Sequence, residues 1–321
     1  MPNILTRTIT GAIYVALLVG STVYSPISAF FFFALVVAAT QWEFSGLMNS
    51  LLKADMPRPI NAMAGVVLVA AVWLSAIDSP QTPHMFALYG LLLLYIIIST
   101  LYRRSQQPLR SWALSFASQL YIALPFALLP LLSIVYDPAT SSLKYNWIYP
   151  LSLFIFLWVN DTFAYLCGMT LQRYMPAKLF PRISPKKSWV GSIGGGLFTI
   201  LAALIVYHLA GLGEQAANIG SQAAGLASHT PGIPEAQATN LASGTSPLHA
   251  FTLSPLLLRW LGFALVVIIF GTWGDLVESQ LKRQLGIKDS GHILPGHGGL
   301  LDRFDSALLA IPASVVYFLL T

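Results

Sequence analysis

Nine long apolar stretches divide the chain, and they constrain its fold more than any other feature of the sequence. A helix needs about 20 mostly apolar residues to cross the hydrocarbon core of a bilayer. The stretches cover residues 8–24, 27–47, 60–77, 84–102, 111–135, 147–169, 189–211, 255–276 and 304–320. Only 9% of the residues are charged, whereas a soluble domain carries about a quarter. The sequence therefore predicts an all-α, polytopic integral membrane protein with about nine transmembrane helices.

The distribution of basic residues predicts how these helices are oriented. If the nine spans alternate in direction, fifteen of the 17 Lys and Arg residues fall on one side, and only Lys144 and Arg259 fall on the other. Cytoplasmic loops carry the excess of Lys and Arg. We therefore expect a multi-pass protein of the inner (cytoplasmic) membrane, with a cytoplasmic N-terminus, Thr321 outside and a cytosol-facing polar site.

Composition also suggests how the chain is organised. We expect an N-terminal region of about five spans, residues 1–145, and a C-terminal region, residues 146–321, that carries most of the polar motifs. Within the latter, residues 213–253 contain no Lys or Arg and are rich in Ala, Gly, Ser and Thr, which is typical of a flexible linker. The sequence has no basic arm interleaved with aromatic residues, which is the feature that would indicate a nucleic-acid partner.

Four carboxylates lie near the C-terminal end of the chain as two i, i+3 pairs, Asp275 with Glu278 and Asp302 with Asp305. This spacing places each pair on one helix face, and both pairs would meet the same side of the membrane. Such carboxylates repel one another unless a cation lies between them, and hard oxygen ligands suit Mg²⁺ or Mn²⁺. Two alternatives stay open: Asp302 and Asp305 could cap a helix start, and Glu278, the weakest candidate, could pair with Lys282.

A glycine-rich, basic loop joins the two acid pairs. Glycines let backbone N–H groups approach a phosphate closely, and nearby basic side chains could balance phosphate charge. The candidate residues of this segment are Lys282, Arg283, Lys288, Asp289, His297, Gly298, Gly299 and Arg303. The alternative is that the basic residues only serve positive-inside topology.

Two further polar segments interrupt the apolar pattern upstream. Ser184, Lys186, Lys187 and Ser188 open the seventh span, whose N-terminus is a natural anion site, although residues 194–196 are three glycines that could equally serve close helix packing. Asn160 and Asp161 lie inside the sixth span, where an ionisable group is costly and indicates a functional site; a structural polar contact is the alternative. Glu43, in the second span, is interpreted as an interfacial anchor.

From Ser279 to Asp305 the chain resembles the C-terminal motif of the membrane CDP-diacylglycerol synthases, also called phosphatidate cytidylyltransferases. That pattern reads S-x-hydrophobic-K-R-x4-K-D-x-small-x2-hydrophobic-P/G-x-H-G-G-hydrophobic-x-D-R-hydrophobic-D, and every specified position is filled here. The segment from Asn160 to Gly168 and the segment 184–188 are also similar to the family. At position 190 the family's glutamate is replaced by Val190.

The resemblance implies an enzyme that transfers the cytidylyl group of CTP to phosphatidate. The lipid phosphate would attack the α-phosphate of CTP in line, giving CDP-diacylglycerol and pyrophosphate, the first committed step towards CDP-lipid-derived phospholipids. It also implies a homodimer, with Mg²⁺ on Asp275, Asp302 and Asp305 and a second cation such as K⁺. The implied catalytic residues are Asp275, Asp302, Asp305, Lys288 and His297. The implied substrate-binding residues are Asn160, Asp161, Ser184, Lys186, Lys187, Ser188, Lys282, Arg283, Asp289, Gly298, Gly299 and Arg303.

Two other functions are weighed against this one. A CTP-dependent lipid-alcohol kinase would share parts of the architecture but would release CDP and a phospholipid. A cation-coupled membrane transporter would place its acids near mid-membrane and use paired discontinuous helices, whereas most acids here cluster towards one membrane face.

Overall fold

The structure is a computed structural model that describes residues 4–103, 105–137, 141–171, 173–174, 176–227, 254–291, 293 and 298–321. For residues 4–7, 137 and 212–227 only the course of the backbone is described. Within these ranges the helices are α1 (Ile4–Tyr24), α2 (Pro26–Leu51), α3 (Arg58–Ala76), α4 (Thr82–Tyr102), α5 (Pro108–Ser118), α6 (Leu124–Ala127), α7 (Pro130–Ser133), α8 (Ile148–Leu171), α9 (Trp189–Ala227), α10 (Pro255–Gln284) and α11 (Leu301–Leu320).

The predicted all-α, polytopic membrane architecture is confirmed. In the part of the chain that the structure describes, eight helical segments are long and apolar enough to cross a membrane. They correspond to the predicted second to ninth spans. The first predicted span is also helical, and its apolar part, Thr8–Tyr24, is shorter than the other eight.

The fifth span is not one regular helix, as its two prolines predict. A π-helical turn, Gln119–Ala123, follows α5, and the short helices α6 and α7 complete the segment. Proline removes a backbone donor and its ring clashes with the preceding turn. Pro125 accordingly lies in the first turn of α6, and Pro130 begins α7.

Close helix packing explains the glycine run of the seventh span. Helix α9 packs along α8, and a Cβ atom at Gly195 would lie 2.6 Å from the backbone oxygen of Asn160. A Cβ atom at Gly194 would lie 2.5 Å from the sulfur of Cys167. Of the two interpretations left open for these glycines, close packing is the one that the contacts support.

Two short antiparallel hairpins were not predicted from the sequence. Strand β1 (Ile134–Asp137) pairs with β2 (Ser142–Tyr145), and β3 (Lys178–Phe180) pairs with β4 (Ser184–Ser188). Each strand is only three to five residues long, and the apolar start of β1 merges with the predicted fifth span, so neither hairpin gives a separate signal. The second hairpin folds the predicted basic loop into a defined structure directly before α9.

The two predicted halves of the chain share an aromatic core. Phe33 of α2 stacks on Phe154 of α8 with ring centroids 5.9 Å apart, and Phe126 of α6 meets Phe304 of α11 edge to face at 5.0 Å. Phe126, Phe154 and Phe304 are almost completely buried. The start of α11, which carries the predicted acids, is therefore packed against helices of the N-terminal half.

The predicted linker at residues 213–253 is described only in part. The backbone of α9 continues as a helix through Ala227, past the point where the linker was expected to begin. Residues 228–253 lie outside the described residues, so the flexible linker stays a prediction.

Candidate active site

A cavity of about 430 Å³ opens beside α8, between the β3–β4 hairpin and the start of α9. This volume lies in the range of small-molecule sites. The cavity is lined by Asn160, Asp161, Ala164, Tyr165, Gly168, Met169, Lys178, Pro185, Lys186, Lys187, Ser188, Gly191, Ser192 and Thr272. It therefore brings together the two upstream polar segments that the sequence analysis selected, although they lie about 25 residues apart.

The first turn of α9 forms one wall of the cavity, and Ser188 defines where that helix begins. The Ser188 hydroxyl accepts a hydrogen bond from the Gly191 backbone N–H at 3.2 Å, which is the geometry of a helix N-cap. A Cβ atom at Gly191 would lie 2.6 Å from the backbone oxygen of Ala164, so the glycine lets α9 approach α8 closely. Ser188 was predicted to bind substrate; in this structure its side chain caps the helix.

Asn160 lies at the inner end of the cavity and is 3% exposed. Its side-chain N–H₂ group donates to the Thr272 hydroxyl of α10 at 3.5 Å, while its side-chain oxygen has no hydrogen-bond partner among the described residues. A buried amide oxygen without a partner is costly, and it is the kind of group that a bound ligand or water satisfies. The neighbouring Asp161 also lines the cavity.

Three lysines face the cavity from the hairpin: Lys178 of β3 and Lys186 and Lys187 of β4. The Lys187 ammonium lies 2.5 Å from a carboxylate oxygen of Asp275. This ion pair links the upstream basic segment to the first acid of the C-terminal motif. Lys178 was missed in the sequence analysis because it stands alone in its segment, whereas Ser184 lies on β4 but not among the lining residues.

The carboxylates of Asp161, Asp275 and Asp305 are close enough to repel one another electrostatically. Gly274 explains part of this proximity, because its missing side chain lets α10 approach α11: a Cβ atom there would lie 2.6 Å from the backbone oxygen of Asp305. Within the described ranges, however, no three His, Cys, Asp or Glu side chains converge closely enough to form a metal-binding group. The nearest cation to Asp275 is the Lys187 ammonium.

Asp302 has different surroundings from the other acids. One of its oxygens accepts a hydrogen bond from Lys282 at 2.8 Å. The other accepts from the backbone N–H groups of Ser290 and Gly299, each at 2.9 Å, and from the Ser290 hydroxyl at 3.0 Å. A metal ion at Asp302 would have to share the first oxygen with the Lys282 ammonium or replace a donor at the second. The assignment of Asp302 to a metal stays a prediction, and this geometry does not favour it.

Glu278 contacts Lys282, as the alternative interpretation expects. The two side chains form an ion pair one helical turn apart, and the Glu278 carboxylate is completely buried. Neither of its oxygens accepts a well-aligned hydrogen bond in the described structure. Lys282 thus lies between Glu278 and Asp302, and it neutralises carboxylates of both helices.

The remaining predicted residues are at the surface or outside the description. Arg283 is exposed, and its Nε–H donates to the Ile183 backbone oxygen at 3.4 Å, which joins the end of α10 to the β3–β4 hairpin. Lys288, Asp289 and Arg303 are exposed. Gly298 adopts a positive φ of 84° beside Asp302. His297 lies outside the described residues.

Glu43 was interpreted as an interfacial anchor, and that interpretation is wrong. The residue is 8% exposed, and both of its carboxylate oxygens accept hydrogen bonds from the C-terminal loop. The described ends of this loop, at Ser290 and Leu300, therefore contact α2 at Glu43. The sequence feature that could have identified Glu43 is the one used for Asp161, namely an acid inside an otherwise apolar span.

The fold and the cavity define a polytopic membrane protein with a polar, lysine-lined site at one end of its helix bundle. Neutralising lysines beside a helix N-terminus suit a phosphate-bearing ligand. The family model of the cytidylyltransferases matches residues 5–321, and the chain belongs to that family.

Individual relatives are similar over most of their length. The phosphatidate cytidylyltransferase of Staphylococcus aureus (strain COL) is 28% identical over 269 residues, which is 83% of this chain and 80% of the relative. The enzyme of the same name from Staphylococcus haemolyticus (strain JCSC1435) is 29% identical over 269 residues, with the same coverage.

Proposed function

We propose that this protein transfers the cytidylyl group of CTP to phosphatidate, giving CDP-diacylglycerol and pyrophosphate. The observation that carries the proposal is the cavity, which is lined by Lys178, Lys186 and Lys187 together with the buried Asn160. It is supported by membership of the cytidylyltransferase family and by relatives named for the phosphatidate reaction. The full match to the C-terminal motif points the same way.

The cytidylyl transfer requires neutralisation of negative charge more than it requires a general base. A phosphate oxygen of phosphatidate, anionic at neutral pH, forms a bond to the α-phosphorus of CTP. The bond from that phosphorus to the bridging oxygen breaks, and pyrophosphate leaves with the electron pair. Both reactants are negatively charged, so the main barrier is repulsion and positioning. Lys178, Lys186 and Lys187 would bring the phosphates together, and the free side-chain oxygen of Asn160 would accept a hydrogen bond from the nucleotide.

Mg²⁺ is part of the proposal, and the chemistry of the donor set suits it. Asp161, Asp275 and Asp305 place three negative charges near one another, and among the described residues the Lys187 ammonium pairs with Asp275 while Lys282 interacts electrostatically with Asp305. These three side chains do not converge into a metal-binding group among the described residues, so they would have to move closer together to hold the ion, which would neutralise phosphate charge on CTP when bound. Asp302 would join them only where the ion lies close to the Lys282 ammonium or replaces a loop donor.

The membrane placement completes the proposal. The excess of Lys and Arg at the cavity end of the bundle supports a cytoplasmic opening. CTP would then enter from the cytosol, while the acyl chains of phosphatidate stay between lipid-facing helices. A homodimer and a second cation remain predictions from the family resemblance.

Product analysis tests the proposal. The detergent-solubilised protein is incubated with α-³²P-labelled CTP and phosphatidate, with and without Mg²⁺. We expect a labelled lipid and unlabelled pyrophosphate, formed only with Mg²⁺. In a parallel incubation with diacylglycerol in place of phosphatidate, labelled CDP together with unlabelled phosphatidate would instead identify a lipid kinase. The absence of any lipid product from phosphatidate would refute the assignment.

A further inference from the structure

Glu43 lies in α2, far along the chain from the predicted motif, yet it is bonded to both ends of the C-terminal loop. Its Oε1 accepts a hydrogen bond from the Ser290 hydroxyl at 2.7 Å. Its Oε2 accepts one from the Leu300 backbone N–H at 2.9 Å. The two partners follow it by 247 and 257 residues in the sequence. Because the side chain is almost fully buried, these bonds are shielded from water and from salt.

The loop backbone is shaped to receive this carboxylate. A Cβ atom at Gly291 would lie 2.6 Å from the carboxyl carbon of Glu43, and one at Gly299 would overlap its Oε1. Real Cβ contacts are essentially never this close. A Cβ atom at Gly291 would displace the Glu43 side chain, and one at Gly299 would also lie 2.7 Å from the Gly291 backbone nitrogen, so the loop itself would have to shift. Two glycines of the motif therefore have a partner in the N-terminal half of the chain.

Ser290 connects Glu43 to Asp302. Its hydroxyl lies 2.7 Å from Glu43 and 3.0 Å from Asp302, and its single proton can serve only one of them at a time. The Ser290 backbone N–H donates to Asp302 independently. The start of the loop is thus held between a carboxylate of α2 and a carboxylate of α11.

We propose that Glu43 is a positioning residue for cytidylyl transfer, which rests on the function proposed above. Its two hydrogen bonds fix the loop and the first turn of α11 against α2. That turn carries Asp302 and, one turn further on, Asp305, which interacts electrostatically with Asp275 and Asp161. Glu43 does not touch substrate; it determines where the α11 carboxylates stand relative to Asp275 and Lys187.

The glutamine variant separates hydrogen bonding from charge. In Glu43→Gln the amide oxygen can accept from Leu300, and the amide N–H₂ can donate to the Ser290 oxygen, whose proton then turns to Asp302. The loop keeps its geometry without the negative charge. In Glu43→Ala both bonds are lost. If Glu43 acts through position, Gln should resemble the wild type and Ala should not.

The experiment measures initial rates of CDP-lipid formation for the wild type, Glu43→Ala, Glu43→Gln, Ser290→Ala and the double variant Glu43→Ala with Ser290→Ala. Rates are normalised to the folded fraction from thermal unfolding in detergent. We expect kcat to fall about 100-fold in Glu43→Ala, since a misplacement of about 1 Å has that effect, with the KM for CTP within about threefold. Glu43→Gln should stay within about tenfold of the wild type, and the double variant should be no slower than Glu43→Ala.

Asp55→Asn is the matched control. Asp55 follows α2 at the same end of the bundle and pairs with the exposed Arg103, so its loss should leave kcat unchanged. Wild-type kcat in Glu43→Ala, a Gln variant as slow as the Ala variant, or losses that multiply in the double variant would each overturn the positioning role. If Glu43→Ala does not fold, the rates of Glu43→Gln and Ser290→Ala still test the positioning role. An inactive wild type would refute the proposed function instead.

Discussion

The cavity and the C-terminal loop use the same residue types in opposite ways. At the cavity, Lys178 and Lys186 line the open space, and the Asn160 side-chain oxygen is buried without a hydrogen-bond partner among the described residues. At the loop, one oxygen of Asp302 accepts a hydrogen bond from Lys282, and the other accepts hydrogen bonds from three loop donors. The cavity leaves polar groups available to a ligand, whereas the loop satisfies its polar groups with hydrogen bonds inside the protein.

The difference teaches how a single sequence motif divides into two tasks. Asp302 and Asp305 are three residues apart on one helix, so spacing alone suggests one shared role. In the structure Asp302 faces the loop, whereas Asp305 interacts electrostatically with the cavity acids Asp161 and Asp275. A carboxylate whose lone pairs are taken by backbone N–H groups organises structure, and one that meets other carboxylates is the better candidate for cation chemistry.

The sharpest test compares two aspartates of the motif. Asp275→Asn should lower turnover about 10³-fold, the effect of removing one strong electrostatic group from a reaction site, while the unfolding temperature stays close to that of the wild type. The reason is that Asp275 pairs with Lys187 at the cavity and holds no loop. Turnover with saturating CTP and thermal unfolding in detergent measure the two effects.

Asp302→Asn should show the contrasting pattern. It weakens the bond to Lys282 and to the loop N–H groups, so we expect a loss of about 2 kcal/mol in the free energy of unfolding together with reduced turnover. If Asp302→Asn were as stable as the wild type and as inactive as Asp275→Asn, the division between the two regions would be wrong.

The two hairpin lysines provide the next comparison. Lys187→Met removes the ammonium that pairs with Asp275 and should lower kcat/KM about 100-fold. Lys186→Met removes an exposed cation that lines the cavity and should cost about tenfold, mainly in the KM for CTP, since partly hydrated charges contribute less. Steady-state kinetics at several CTP concentrations separate the two, and equal losses would contradict the special place of Lys187.

A pair of glycines on α9 tests whether the cavity depends on close packing. Gly191→Ala would place a Cβ atom 2.6 Å from the backbone oxygen of Ala164, whereas at Gly196 the nearest atom, from Ile268, is 3.5 Å away. We expect Gly191→Ala to lower turnover about tenfold, because α8 and α9 must separate, and Gly196→Ala to have little effect. The same assay measures both, and a harmful Gly196→Ala would indicate that the helix tolerates no change at all.

The smallest expected effect concerns Ser188, which was predicted as a substrate residue and caps α9 in the structure. Ser188→Ala should cost about 1 kcal/mol of stability and change the KM for CTP less than twofold. Ser188→Asp, which retains a capping acceptor, is the control for folding. A large rise in KM with unchanged stability would restore the substrate role.

Much of the fold could be predicted, because lipid imposes a simple rule on helix length and composition. The predicted starts at 189 and 255 coincide with those of α9 and α10. Asn160, Asp161, Lys186 and Lys187, which the sequence singles out because charged and amide groups are rare in apolar spans, line one cavity, and their binding of substrate stays a prediction.

What could not be predicted depends on contacts between distant segments. Nothing near Glu43 indicates that residues 290 and 300 will bury it, and its spacing to them carries no periodic signal. Thr272 has no local feature that links it to Asn160. The roles of Asp302 and Asp305 were merged because helix spacing gives a shared face but does not give the partners that each side chain meets.

Helix α10 is longer than the thickness of a bilayer requires. Its 30 residues extend about 45 Å at 1.5 Å per residue, whereas the hydrocarbon layer is about 30 Å thick. The helix is therefore about 15 Å longer than that layer. If its N-terminal part spans the layer, Asp275 and Lys282 would lie near the lipid head groups, and a thicker bilayer would enclose these charges unless the helix tilts.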